Sequence, residues 1–383
     1  MKRILTGLLA LCLLCQGIPA ALAAGREKRP AVEVAAKSAL LMERETGTIL
    51  YRQREHERLA PASVTKVMTM LLVIEAVDAG QISLDDSVTC SARAASMGGS
   101  QVYLKEGERM SVRDLLKAVA VASGNDAAVA LAEHLAGSEP AFVERMNSRA
   151  GELGMEDTRF RNCNGLPEKG HVTSAHDIAV MSRELLSHKS IREYVGTWMD
   201  TLRDGEFQLS NTNKLIYYYE GATGLKTGFT ADAGFCISAS ALRDGMELIA
   251  VVLGGETSKA RFDDAKALLD YGFGTYTLTD VTPEKKIPPV AVRMGERETV
   301  PVEPGSAGKL LLKKEEKGRV RTRVELPESV RAPVRKGDAL GRLRVTVDGR
   351  EVRGVPLVAG GDVPRMTFQG IFGSLLRRMA TGK

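Results

Sequence analysis

The chain has 383 residues, 53 basic and 48 acidic, for a formal net charge of +5, and is 44% hydrophobic, 26% charged and 5% aromatic. The length calls for more than one domain, and the composition is that of a soluble globular protein, which excludes a disordered chain and a multi-span membrane protein. Near-balanced charge and few aromatics leave no footprint for nucleic acid, and five cysteines make no disulfide framework in a chain this long.

Lys2 and Arg3 precede an apolar run from Ile4 to Leu14, and Ala21-Leu22-Ala23 supplies an A-x-A cleavage signal. Residues 1–23 therefore read as a secretory signal peptide. The apolar part is short for a membrane span; an uncleaved anchor is the alternative. Leu14 before Cys15 is too bulky for a lipoprotein signal. Cleavage lowers the formal charge from +5 to +3 and leaves Cys90, Cys163 and Cys236. An odd number leaves at least one thiol without an intramolecular partner. No C-x-x-C spacing exists, so neither zinc nor a thioredoxin-like site is supported.

After the polar stretch Gly25–Pro30, Ser38–Glu43 and Thr48–Tyr51 flank Thr46-Gly47 and predict strand, turn, strand. From Ser63 to about Ala79, Val67, Met70, Leu71, Ile74 and Val77 recur at helical spacing, and Gly80 supplies a stop. Val112–Val121, Asp126–Leu135, Pro140–Leu153 and Ala175–Leu186 are further helix patterns. Phe235–Leu242 and Glu247–Leu253 around Arg243-Asp244-Gly245 predict a hairpin, and Lys259–Leu269 a closing helix. Strands at both ends with helices between give an α+β domain over about 31–275. Pro288, Pro289, Pro301 and Pro304 then punctuate short alternating runs, such as Val320, Thr322 and Val324, or Leu343, Val345 and Val347. These predict a small all-β domain over 283–364. In the final segment, 366–383, Phe368, Ile371, Phe372, Leu375, Leu376 and Met379 share one helical face beside Arg377, Arg378 and Lys383. With Arg365 just ahead, that pattern predicts a basic amphipathic helix on an anionic membrane surface; packing on the β domain is the alternative.

Several chemistries are excluded. His56, His134, His171, His176 and His188 form no H-E-x-x-H, and no carboxylate cluster has metal-ligand spacing along the chain. G-x-S-x-G and Walker-type motifs are missing. Neither metal nor cofactor is expected. What remains is Ser63-Val64-Thr65-Lys66 at the start of the first helix. Residues three apart share a helix face, so the Lys66 amine can meet the Ser63 hydroxyl. A serine needs a base to become a nucleophile, and a buried neutral lysine can be that base. The motif alone is weak, since Ser306-Ala307-Gly308-Lys309 repeats it in a Pro-rich loop by chance. Two more elements follow once each in order: Ser123-Gly124-Asn125 in a break between helices, and Lys226-Thr227-Gly228 at a strand edge. Singly, each reads equally well as a turn, a helix cap or a strand entry. The ordered triple S-x-x-K, S-x-N, K-T-G belongs to β-lactamases and penicillin-binding proteins.

On these residues, with Ala60-Pro61-Ala62 before Ser63, Asn164-Gly165-Leu166, and Gly224-Leu225 before Lys226, the chain resembles the low-molecular-mass penicillin-binding proteins that are serine-type D-alanyl-D-alanine carboxypeptidases. The resemblance implies a β-lactamase/transpeptidase-like catalytic domain of antiparallel sheet and helices, then the small all-β domain and a terminal amphipathic helix. It implies attack by Ser63 on the penultimate D-alanine carbonyl of peptidoglycan stem peptides, acylation by β-lactam antibiotics, and Lys66 as general base. Ser123 relays a proton, tuned by Lys226, and Asn125 holds substrate or Lys66. The Ser63 and Phe229 amides form an oxyanion hole. Lys226, Thr227, Gly228, Phe229 and Arg261 bind substrate, with Lys226, Thr227 and Arg261 at the terminal carboxylate. Some relatives carry histidine after K-T-G, where this chain has Phe229. The implied place is the outer face of the cytoplasmic membrane, peripherally bound. A β-lactamase remains the enzymatic alternative, weakened by the lack of an E-x-x-L-N element; a catalytically silent wall-binding protein is the third reading.

Overall fold

A computed structural model describes residues 32–281, 283, 285–305, 309–368, 370, 372 and 379. The proposed leader (1–23), Ser306, Ala307, Gly308, Ile371, Leu375, Leu376, Arg377, Arg378 and Lys383 lie outside the described residues.

The first domain is built on five antiparallel strands: β1 (Ser38–Glu43), β2 (Ile49–Gln53), β3 (Ala222–Thr230), β4 (Gly234–Arg243) and β5 (Met246–Gly255), in the order β2-β1-β5-β4-β3. Strands from the two ends of the domain meet where β1 pairs with β5, Leu41 opposite Ala250. Both faces of this sheet are covered. Alternate side chains of a strand point to opposite faces, so Leu40, Met42, Ile249 and Val251 enter one apolar core while Ala39, Leu41, Leu248 and Ala250 enter another. That explains why β5 reads as a continuous apolar run, buried at every position.

The first core is closed by α1 (Lys66–Asp78), α2 (Val112–Val121), α3 (Asn125–Ala136), α4 (Glu139–Glu152) and α5 (Ala175–Leu185). Three of these begin at a serine whose hydroxyl accepts a first-turn amide: Ser111 for α2, Ser138 for α4 and Ser174 for α5. The other core is closed by α6 (Ser258–Thr275), capped by Thr257.

Helix α6 runs beyond the apolar pattern that predicted it and passes directly into β6 (Tyr276–Asp280), which pairs antiparallel with β10 (Lys309–Lys313). The second domain's own core holds Val292, Val300, Leu343, Val345 and Leu357. One of its sheets joins β7 (Val290–Arg293), β8 (Thr299–Val300) and β12 (Ser329–Arg331); the other joins β9 (Val302–Pro304), β11 (Val320–Glu325), β13 (Ala339–Val347) and β14 (Arg350–Ala359). Lys309, the described member of the chance S-x-x-K repeat, sends its amine to Glu45 at 2.9 Å.

Candidate active site

The nucleophile motif does not lie in an α-helix throughout. Ala62–Thr65 form a 3₁₀ turn that runs into α1. In a 3₁₀ turn side chains at i and i+3 eclipse, which sets Ser63 above Lys66 more directly than an α turn would. Ala62 enters the turn at φ 48°, a conformation that L residues rarely adopt. Buried neighbours hold it: Thr65 Oγ1 donates to Ala62 O at 2.8 Å and lies 2.8 Å from His171 Nε2. Burial, then the nearby Arg161 charge, lowers the His171 pKa to about 4. The ring is therefore neutral, with its Nδ1 accepting from the Arg161 amide at 3.1 Å.

Lys66 Nζ has three neighbours: Ser63 Oγ at 2.9 Å, Asn125 Oδ1 at 2.6 Å and the Asn164 carbonyl at 2.7 Å. The Asn125 amide is oriented by its Nδ2, which donates to Gly98 O at 2.7 Å. The side chain of Lys66 is fully buried, with no carboxylate in salt-bridge contact among the described residues. Burial lowers its pKa from 10.5 to about 7, partly opposed by the Asp126 carboxylate. Asn125 Oδ1 and Asn164 O can only accept. A neutral amine gives its two protons to them, and its lone pair is left for the Ser63 hydroxyl.

Ser123 lies in the break between α2 and α3, and Asn125 is the first residue of α3. Ser123 is buried at φ 64°, and its hydroxyl makes no hydrogen bond among the described residues. The loop before it is tied down from α3: Asn125 N donates to Ser100 O at 2.7 Å, while the Asp126 carboxylate accepts from the Val102 and Leu104 amides.

Lys226-Thr227-Gly228 lies within β3, the edge strand of the sheet. Its glycine explains how it meets the nucleophile turn. A Cβ on Gly228 would stand 2.8 Å from both Pro61 O and Ser63 N, so only glycine lets the two backbones approach this closely. The opposite wall makes the same demand. Gly165 sits at φ +85°, and a Cβ there would stand 1.9 Å from Ala62 O. Lys226 is fully buried, and its Nζ donates to Thr227 O at 2.9 Å. Burial first, then the Lys66 and Arg261 charges, pushes its pKa well down. Thr227 Oγ1 donates to Thr212 Oγ1 at 2.8 Å.

Arg261, on α6, reaches under the same strand: Nη1 donates to Gly228 O at 3.0 Å and Cys236 O at 3.2 Å. Its guanidinium lies against the Phe235 and Phe262 rings, and its buried Nε has no partner among the described residues. Burial lowers its pKa to about 10. Phe229 is exposed and stacks on Phe235 with ring centroids 4.2 Å apart.

The structure thus brings Ser63, Lys66 and Asn125 into contact and sets the strand of Lys226, Thr227, Gly228 and Phe229, with Arg261 beneath it, against the Ser63 turn, whereas Ser123 is placed only through its chain neighbour Asn125. The residues that sequence reasoning passed over act through backbone or through second neighbours. Asn164, quoted only within a segment that carries the family resemblance, works by its carbonyl, which no side-chain pattern reveals. Thr212, His171, Asp126 and the Gly98–Ser100 loop carry no motif. Cys90, Cys163 and Cys236 are all buried and free. Burial, with Glu139 beside it, raises the Cys163 pKa well above the usual thiol range, so it is not a thiolate.

One grouping of metal-type ligands forms in space and not along the chain. Among the described residues, Glu75, Glu184 and His188 bring ligand atoms within 4.8 Å of one another. They come from distant segments, so linear spacing could not show them. Arg149 already donates to Glu75 at 2.7 Å and to Glu184 at 3.0 Å.

A serine against a buried lysine, between an S-x-N loop and a K-T-G strand, defines a serine acyl-transfer centre. Residues 24–257 match the D-alanyl-D-alanine carboxypeptidase family, and residues 276–365 match the C-terminal domain of penicillin-binding protein 5. The chain is 43% identical over 375 residues to D-alanyl-D-alanine carboxypeptidase DacF of Bacillus subtilis, covering 96% of each. It is 33% identical to DacC of Escherichia coli, covering 89% of this chain and 87% of that one. Penicillin-binding protein 5 of Haemophilus influenzae superposes with a TM-score of 0.77 at 31% identity, over 87% of this chain and 98% of that one. Penicillin-binding protein D2 of Listeria monocytogenes, in its ampicillin-bound form, superposes at 0.59 with 34% identity, over 64% and 100%. The chain belongs to the D-alanyl-D-alanine carboxypeptidase family, among the low-molecular-mass penicillin-binding proteins. It is a serine-type carboxypeptidase, and neither the β-lactamase nor the silent-scaffold alternative is favoured.

Proposed function

We propose that Ser63 is the nucleophile and Lys66 its general base in removal of the terminal D-alanine from peptidoglycan stem peptides. The free amine of Lys66 takes the Ser63 proton as Oγ attacks the penultimate D-alanine carbonyl. The oxyanion is held by the amides of Ser63 and Phe229. Ser123, tuned by Lys226, relays that proton from Lys66 to the departing D-alanine amine, and the C–N bond breaks to leave an ester on Ser63 and a free amine on Lys66. Water then hydrolyses the ester, with Lys66 again taking the proton. Asn125 keeps the amine aimed. Lys226, Thr227 and Arg261 supply positive charge and donors for the terminal carboxylate. Penicillins acylate the same serine, as ampicillin binding by the Listeria relative suggests.

The observation that carries this reading is the Lys66 amine, buried, close to neutrality and 2.9 Å from the Ser63 hydroxyl. Intact-protein mass spectrometry after penicillin exposure tests it. The chain should gain one adduct on the Ser63 peptide, and Ser63→Ala should gain none and release no D-alanine. Equal labelling of both proteins would remove Ser63 from the role.

We place the enzyme outside the cytoplasm, exported by residues 1–23, with a catalytic domain over 31–275 and a small β domain over 283–364. Residues 366–383 hold it peripherally on the membrane. Exposed Phe368 (83%), Phe372 (58%) and Met379 (83%) support that last role. Among the described residues no helix is long and apolar enough to cross a membrane.

A further inference from the structure

Charge is divided unequally along the chain. Residues 24–275 carry 29 basic and 35 acidic side chains, whereas residues 276–383 carry 22 and 13. The excess positive charge therefore sits in the C-terminal part, and the structure shows where.

On the larger sheet of the second domain and beside it, three arginines are paired with carboxylates: Arg319 meets Asp348 at 2.6 Å, Arg342 meets Glu325 at 2.7 Å and Arg344 meets Glu351 at 2.6 Å. Arg321, Arg323, Arg350 and Arg353 on the same strands make no ion pair among the described residues. At the end of the domain from which the chain leaves, none of the cations is paired. Three segments lie side by side there. Val334 bridges to Val363, Gly295 bridges to Arg365, and Met366 N donates to Met294 O at 2.8 Å. These segments carry Arg293, Arg297, Arg331, Arg335, Lys336 and Arg365, all exposed. None of the six has a carboxylate within salt-bridge distance among the described residues.

Two of them are set against each other. Strands β7 and β12 pair in parallel with Arg293 opposite Arg331, a like-charge neighbour pair that disfavours the free protein. Four carboxylates share these segments: Asp338 and Asp362 are turned to backbone, accepting from the Arg335 and Lys336 amides at 2.7 Å each, while Glu296 and Glu298 are exposed and in no ion pair among the described residues, so the six cations keep an excess of two. Met294, between Arg293 and Arg297, is itself exposed. Immediately beyond Arg365 come the exposed Phe368 and Phe372.

Uncompensated cations that flank a departing apolar segment have the charge and position to meet anionic lipid headgroups. We propose that this end of the β domain is a second membrane-contact surface, in which Arg293, Arg297, Arg331, Arg335, Lys336 and Arg365 bind the phosphates of an anionic bilayer. It rests on the membrane reading of residues 366–383 but is a separate contact. It orients the domain on the surface, whereas the tail retains it there.

The test is vesicle co-sedimentation of the chain from Ala24 to Lys383, on phosphatidylglycerol-containing vesicles and on pure phosphatidylcholine. Near an anionic surface each cation contributes about fivefold to binding. Arg293→Gln/Arg297→Gln/Arg331→Gln should therefore bind the anionic vesicles on the order of a hundredfold more weakly at low salt. Its binding to phosphatidylcholine and its penicillin labelling should be unchanged. Arg342→Gln/Arg344→Gln, on the paired face, should bind as the parent does. If the triple variant loses labelling, Arg335→Gln/Lys336→Gln replaces it, with about twenty-fivefold expected. Undiminished binding of a labelled, folded variant overturns the proposal.

Deleting Met366–Lys383 separates the two contacts. A truncated chain that still prefers anionic vesicles, and loses that preference with the triple change, supports the surface. A truncated chain with no preference overturns the surface and leaves the tail reading intact. Truncated binding equal to the parent's removes the tail reading and leaves the surface standing.

Discussion

The amine of Lys66 should announce itself in the pH dependence of both rate and stability. With a pKa of about 7, it passes from about one-tenth to about nine-tenths free base between pH 6 and pH 8. Penicillin acylation should rise about tenfold over that range and then level off. Lys66→Ala should lose acylation by about 10²–10⁴-fold, the usual share of a general base. Stability should carry the same signature. The amine titrates at its ordinary 10.5 in the unfolded chain and at about 7 in the folded one. Folding therefore releases protons between those values. The contribution is whole above about pH 10.5, falls as pH drops, and is lower by about 5 kcal/mol once pH passes below 7. Urea unfolding of the parent and of Lys66→Ala at pH 7 and pH 9 isolates it. The parent should gain about 2 kcal/mol relative to the variant over that interval. Stopped-flow acylation with a fluorescent penicillin gives the rate arm. An acylation rate flat from pH 6 to 8, or a stability difference that does not move with pH, would refute the neutral-amine base.

The approach of the Asn164-Gly165 turn to Ala62 predicts that Gly165→Ala, which meets both a 1.9 Å clash and an unfavourable φ, loses about 3 kcal/mol or more by thermal melting. A melt unchanged from the parent would mean that the turn can move aside. Arg261→Gln removes a charge beneath the K-T-G strand and should raise KM for D-Ala-D-Ala peptides about 10- to 100-fold, the worth of a hydrogen bond to a charged group. Steady-state release of D-alanine measures it, and an unchanged KM would take Arg261 out of carboxylate binding.

The sequence was most informative where local physics acts alone. Periodicity placed α1, α2 and α5 within a few residues, and alternation identified Leu343, Val345 and Val347 as one buried face. It was less informative where distant segments decide. That Ser63 begins in a 3₁₀ turn follows from the buried Thr65–His171 contact across 106 residues, not from the residues of the turn. Helix α6 outruns its apolar pattern because β1 and β5 give its last turns something to pack on, with Gly272 set against Leu41 and Leu248. Lys66, Asn125 and Lys226 were legible because the proposed chemistry demands particular side chains, whereas the Asn164 carbonyl, a main-chain acceptor, could be seen only in place.

Helix α6 enters β6 without a linker, and β6 is at once locked to β10. Tyr276 N is still bonded to Gly272 O, so the last turn of one domain is also the first residue of the next. A junction without slack behaves as a strut rather than a tether. If residues 366–383 hold the chain on a membrane as proposed, the height of Ser63 above it is then set by the length of folded protein between them, and lengthening or shortening the β domain should move the cleft with it.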